Sequence, residues 1–190
     1  MTVTFFEFHP LTIEHWADFE RLFGPRGACA GCWCMFWKLS RADFNHNQGE
    51  ENRLAQKAIV ELGRTPGLLA YVDDIPAGWC ALEPRENYPG LARSRILKPV
   101  DETPVWSVTC FYVDKRYRRQ GLTVALLRAA VDYVARQGGK VVEGYPTEPR
   151  QEKAPPPFVY TGLASAFLQA GFVEVARRSE TRPIMRYYLK

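Results

Sequence analysis

The residues best suited to chemistry lie in one short run, Tyr117-Arg118-Arg119-Gln120-Gly121-Leu122-Thr123, between a strongly strand-like segment and a long helical pattern. A helix opening there has backbone N–H groups without helical partners, and its dipole favours an anion beside them. Gly121 permits a tight turn and close backbone approach, and Arg118 and Arg119 bring positive charge to the same point. The chemistry implied is phosphate binding. The run lacks the Gly-Lys-Ser/Thr ending of a phosphate loop, and no G-x-G-x-x-G occurs, so the usual ATP and dinucleotide motifs are absent.

Cys29, Cys32 and Cys34 with His46 offer the ligand types of a zinc site. Their spacing argues otherwise, because no second paired cluster follows and Trp33, Met35, Phe36 and Trp37 interleave with them, as in an apolar lining. No metal is assigned. No H-x-E precedes the C-x-x-C, which disfavours a zinc deaminase. Cys110, among Val, Thr and Phe, reads as buried and inert, and the odd total of five cysteines reads as reduced thiols.

Several elements must position these residues. Residues 3–8 read as a strand, and Ile13, Trp16, Phe19, Leu22 and Phe23 follow at helical spacing from a Thr12 cap to Gly24. Leu54, Ala58, Ile59 and Leu62 mark a second helix. Two apolar runs, 68–72 and 75–83, flank Asp73-Asp74 as in a hairpin. Residues 105–113 form the most strand-like segment, and Thr123, Leu127, Ala130, Val131 and Val134 line a long helix closed by Gly138 and Gly139. A strand at 140–145, a proline-rich surface loop at 146–157, a short helix at 161–170 and strands at 172–176 and 184–189 complete the order β α α β β β α β α β β.

With 190 residues the chain suits one compact domain, expected over residues 1–190 and burying about 70% of its unfolded surface. An apolar content of 46% with 24% charged residues excludes disorder, collagen and coiled coil. Lys and Arg outnumber Asp and Glu by only 25 to 21, too weak an excess to make nucleic acid the partner. No window approaches membrane-spanning length and the start has no leader pattern, so a cytoplasmic protein without a membrane partner is expected.

The segment FYVDKRYRRQGLTVALL resembles the signature of the GCN5-related N-acetyltransferase (GNAT) superfamily, in which an apolar strand and a short turn lead to Arg/Gln-x-x-Gly-x-Gly/Ala opening a helix. Arg118, Gly121 and Thr123 fall on the signature positions, Thr123 departing from the usual Gly or Ala. The element order and the ending Ala166-Phe167-Leu168-Gln169-Ala170-Gly171-Phe172 match as well. The resemblance implies an α/β (α+β) fold with a mixed, mostly antiparallel central sheet and helices on both faces. It also implies acetyl-CoA as co-substrate, its pyrophosphate on the amides of Arg119, Gln120, Gly121, Leu122, Thr123 and Val124 beside Arg118. Pantetheine would pair with the exposed backbone of Phe111, Tyr112 and Val113, as an extended peptide adds to a strand.

The resemblance further implies acetyl transfer by direct attack of a primary amine, from a small molecule or a peptide, on the thioester. That reaction needs a route for the amine proton and a proton for the leaving thiolate. The family's usual tyrosine acid falls on Phe167 here, leaving Tyr160, Ser165 or a water as candidates. Glu83 and Glu143 are the candidate bases. Trp33, Phe36 and Trp37 would border the acceptor pocket, holding an apolar or cationic acceptor or simply forming core. The rival readings are a non-catalytic acyl-CoA-binding module and a zinc- or redox-sensing protein. Aromatic residues near both ends are compatible with a homodimer.

Overall fold

The computed structural model describes residues 5–149 and 159–190. In chain order the elements are β1 (Glu7–Pro10), α1 (Trp16–Phe23), α2 (Arg41–His46), α3 (Glu50–Glu61), β2 (Gly67–Val72), β3 (Ile75–Pro84), α4 (Pro89–Arg93), β4 (Trp106–Val113), α5 (Leu122–Arg136), β5 (Val141–Gly144), α6 (Ala164–Gln169), β6 (Val173–Arg177) and β7 (Pro183–Tyr188). The expected start of the first strand, residues 3–4, and most of the expected proline-rich loop lie outside the described residues. The sequence patterns for α2 and α4 were too short to stand out: each helix spans less than two turns.

The strands form one sheet in the order β1-β2-β3-β4-β5-β7-β6, antiparallel throughout except for β4 beside β5. Asp73 and Asp74 both take left-handed backbone angles (φ 49° and 60°), the geometry that lets a two-residue turn follow the twist of its strands. On one face α5 and α6 bury Leu122, Leu126, Leu127, Ala130 and Phe167 against the sheet. On the other, α1 and the segment before α2 pack Phe19, Phe23 and Trp33 around Trp79. Helices therefore cover both faces, as the sequence implies.

Two expected helix faces need correction. On α3 the buried residues are Asn52, Gln56 and Val60, while Leu54 and Leu62 are exposed. The helix packs against Gly27–Gly31, whose chain presents backbone carbonyls: Asn52 Nδ2 donates to Gly31 O at 3.1 Å, so polar side chains face inward. On α5, Leu122 and Leu126 join the core, and Thr123 instead lies on a cavity wall.

The site is created by β4. It pairs with β3 along its whole length, but with β5 only from Trp106 to Val108. Beyond Val108 the two strands separate. At the same place the β3–β4 register slips, because Leu82 faces Val108 and Ala81 faces Cys110, leaving Thr109 as an extra residue on β4. Such a bulge resets the alternation of side chains. Val108, Phe111 and Val113 thus pack toward α5, and Cys110 and Tyr112 toward α1.

Candidate active site

A cavity of about 840 Å³ opens at this separation and continues past the edge of β4 onto both faces of the sheet. One end is the turn before α5. Arg119 and Gly121 both have left-handed backbone (φ 61° and 81°), and Ala125 N makes the first helical bond back to Gly121 O at 3.0 Å. The amides of Leu122, Thr123 and Val124 precede it and so have no helical acceptor. A Cβ added at Gly121 would meet nothing within 4 Å, so the space over this turn is open. Arg118 Nε donates to Val113 O at 3.0 Å, tying the turn to the end of β4. Gln120 Nε2 bonds Arg116 O at 2.9 Å, and this side chain does not line the cavity.

The middle of the cavity is the edge of β4 that β5 leaves, with Phe111, Tyr112 and Val113 on its wall. Opposite stands the segment before α6, where Phe111 N donates to Tyr160 O at 2.6 Å, so the backbone expected to be exposed over Phe111–Val113 is partly taken: the Phe111 amide by Tyr160 and the Val113 carbonyl by Arg118. The far end is apolar and ringed by Phe23, Phe36, Trp37, Phe44, Tyr112 and Tyr160. Phe36 meets Tyr160 edge-on at 6.3 Å between ring centres. Burial, with the Cys110 thiol adding to it, pushes the Tyr160 hydroxyl up to about 12, so it is a proton donor at any physiological pH.

Four thiols border the same space: Cys29, Cys32, Cys34 and Cys110. Cys110, expected to be buried, is half-buried and lines the cavity, where the bulge turns it. Among the described residues no group of three His, Cys, Asp or Glu side chains is placed to hold a metal ion. His46 is exposed at the end of α2.

A sequence model of the Acetyltransferase (GNAT) family matches residues 33–154. The chain belongs to the GNAT acetyltransferase family. Solved structures agree at the level of the fold. A GNAT acetyltransferase from Listeria monocytogenes superposes with a TM-score of 0.58 at 11% identity, covering 97% of this chain and 95% of its own. One from Streptococcus agalactiae gives 0.57 at 12%, covering 97% and 96%. The PaiA N-acetyltransferase of Thermoplasma acidophilum, solved with coenzyme A, gives 0.53 at 15%, covering 97% and 99%. No curated protein matches in sequence.

Against this GNAT frame, the expected site residues separate into two groups. Phe111, Tyr112, Val113, Arg118, Arg119, Gly121, Leu122, Thr123, Val124, Phe36, Trp37 and Tyr160 meet at the one cavity. Gln120, Trp33, Ser165, Glu83 and Glu143 do not line it. Trp33 is core, stacked on Phe23 at 5.6 Å, and Ser165 is exposed on α6. Glu83 is buried in an ion cluster, accepting from the Lys38 ammonium, from Arg64 Nη2 at 2.5 Å and from Asn87 at 3.3 Å. Glu143 is buried likewise, accepting from Arg186 Nε at 2.7 Å, Tyr145 Oη at 2.7 Å and Arg85 Nη1 at 3.0 Å. Phe167, on the family's tyrosine position, is fully buried against Phe111 and Phe172. Gly144 leaves the room for that ring, since a Cβ there would lie 2.1 Å from Phe167 Cε1.

The wall residues that sequence reasoning missed are chiefly Phe44, Cys110, Gly162 and Ala166. Phe44 is the one buried side chain of α2, an apolar signal present in the sequence but isolated. The others carry no signal apart from their place beside the separated strands.

Proposed function

We propose that the protein transfers an acetyl group from acetyl-CoA to a primary amine by direct attack, in one domain spanning residues 1–190. The observation that carries this is the continuity of the cavity, which joins a helix N-terminus with open backbone donors to the strand edge that β5 leaves and then to an aromatic chamber. A diphosphate suits the first, an amide-bearing arm the second and an acceptor the third. Arg118 and Arg119 add charge for the diphosphate. The thioester then lies between β4 and Tyr160, where the chamber holds the amine close to its carbonyl.

Tyr160 is the acid in this reading. Its hydroxyl borders the chamber and remains protonated, ready for the departing thiolate, whereas Ser165 points away from the cavity. Glu83 and Glu143 are anchors of the fold, because each is already surrounded by cationic donors. The rings of Phe36, Trp37 and Phe44 favour an acceptor with an apolar or aromatic body.

Titration calorimetry with coenzyme A tests the binding, and release of free thiol from acetyl-CoA in the presence of primary amines tests the transfer. Heat on binding with amine-dependent thiol release is the expected result. Binding without any transfer would favour the acyl-CoA-binding module, and no binding would remove the proposal altogether.

A further inference from the structure

Most of the β4 backbone that faces the cavity is engaged by the protein itself. Asp114 N donates to Ala77 O at 3.0 Å, one residue beyond the Val113–Gly78 pair, so that pair is of the kind that exchanges no hydrogen bonds across the ladder. Val113 therefore turns its N–H and C=O away from β3, onto the edge that β5 leaves. Phe111, opposite Cys80 two residues earlier, does the same. On this edge Phe111 N donates to Tyr160 O at 2.6 Å, the Cys110 thiol to Phe111 O at 3.8 Å, and Arg118 Nε to Val113 O at 3.0 Å.

The last of these bonds differs from the others in its donor. Arg118 is exposed, and among the described residues its guanidinium has no carboxylate partner; Asp114, the nearest acid in the chain, is held by Arg116. The arginine stands between the strand end at Val113 and the start of α5 at Leu122, and all three residues line the one cavity. A guanidinium resting on a neutral carbonyl at an exposed place makes a weak bond. On a phosphate it makes a charged, two-pronged pair, roughly twice as strong. An anion at the amides of Leu122, Thr123 and Val124 therefore competes with Val113 O for the same side chain.

We propose, resting on the acetyl-CoA reading, that Arg118 is a latch on the β4 edge. Its guanidinium sits on Val113 O until a diphosphate draws it away, and the carbonyl so released accepts an amide N–H of the pantetheine arm. The two ends of the coenzyme are thereby coupled through one side chain. Phosphate at the helix start makes the strand edge a better partner for the arm, and by linkage an arm seated on Val113 O turns Arg118 toward the phosphate. The site is then selective for the whole coenzyme over a phosphate-free molecule that carries the same arm.

The test divides the coenzyme into its halves, pantetheine and adenosine 3′,5′-bisphosphate, and titrates each into the whole chain by NMR shift perturbation, with CoA itself followed by calorimetry. In the native chain, saturating bisphosphate should tighten pantetheine about fivefold, the equivalent of one net hydrogen bond. Arg118→Met should tighten pantetheine alone by about fivefold, abolish the gain from bisphosphate, and weaken both bisphosphate and CoA. Arg119→Met, at the neighbouring arginine, should weaken bisphosphate and leave pantetheine at its native affinity. An arginine that only supplies charge, or only braces the turn, cannot raise the affinity for a phosphate-free ligand when it is removed. The proposal is overturned if pantetheine binds Arg118→Met no more tightly than native, or if the two halves bind the native chain independently. CoA binding without amine-dependent thiol release would end the transfer reading and leave the latch standing on these titrations. A native chain that gives no heat with CoA removes both.

Discussion

The Phe111 amide donates to the Tyr160 carbonyl at 2.6 Å, so the edge of β4 beyond β5 is held by the backbone of the residue whose side chain borders the chamber. Holding by backbone has a useful consequence. A substitution at Tyr160 can remove the hydroxyl and leave the hydrogen bond in place.

Tyr160→Phe should therefore lower kcat about 100-fold, the usual size of a general-acid contribution, with CoA affinity unchanged by calorimetry. Burial raises the hydroxyl to about 12, so the acid stays protonated through neutral and moderately alkaline pH. Native kcat should show no falling limb from this group up to about pH 10. A kcat equal to native in Tyr160→Phe would pass the acid role to water.

At the other end of the cavity, Gly121 carries a left-handed φ of 81° with open space above it. Gly121→Trp should abolish CoA binding because the indole fills that space. Gly121→Ala should weaken binding only modestly, at a conformational cost of about 1 kcal/mol. Both variants should retain native secondary structure by circular dichroism, since among the described residues nothing lies within 4 Å of the new Cβ. Unchanged CoA affinity in the tryptophan variant would show that the diphosphate binds elsewhere.

These contrasts explain what the sequence could show. The turn at Gly121, the Asp73-Asp74 hairpin and the core face of α5 beyond Thr123 were legible because each depends on local chemistry: a helix start, a turn type, a 3.6-residue period. The face of α3 was not, because Leu54 and Leu62 mark one side while the Gly31 carbonyl takes the Asn52 amide on the other. The exposure of Cys110 to the cavity was not legible for a related reason. Strict alternation along β4 does not hold once Thr109 is inserted. Glu83 and Glu143 stood at strand positions that suggested a cleft, but their cationic partners come from distant segments, Lys38 and Arg186 among them.

Glu143 tests that last point through stability. Its carboxylate binds Arg186, itself buried, together with Arg85 and Tyr145. Glu143→Gln should cost about 3 kcal/mol in denaturant unfolding, because a buried guanidinium loses its counter-charge. Any folded fraction should keep native CoA affinity. Arg186 also holds Asp101 well below the usual carboxylate range. A carboxyl lowered by folding contributes stability above its unfolded value, so this contribution should be complete above about pH 5 and fall away on acidification. A lowered kcat with unchanged melting in Glu143→Gln would return the residue to the candidate bases.

Gln56 offers the opposite sign. Its side chain is fully buried on α3, and among the described residues neither Nε2 nor Oε1 has a hydrogen-bond partner. Leaving such groups unpaired costs stability, whereas methionine has nearly the same length and no group to satisfy. Gln56→Met should raise the unfolding free energy by about 1 kcal/mol, read as a higher denaturant midpoint at constant slope. Its neighbour Asn52 donates to Gly31 O, so Asn52→Leu should destabilise by a similar amount and serves as the internal contrast. A loss of stability in Gln56→Met would mean that the Gln56 amide is hydrogen-bonded in solution.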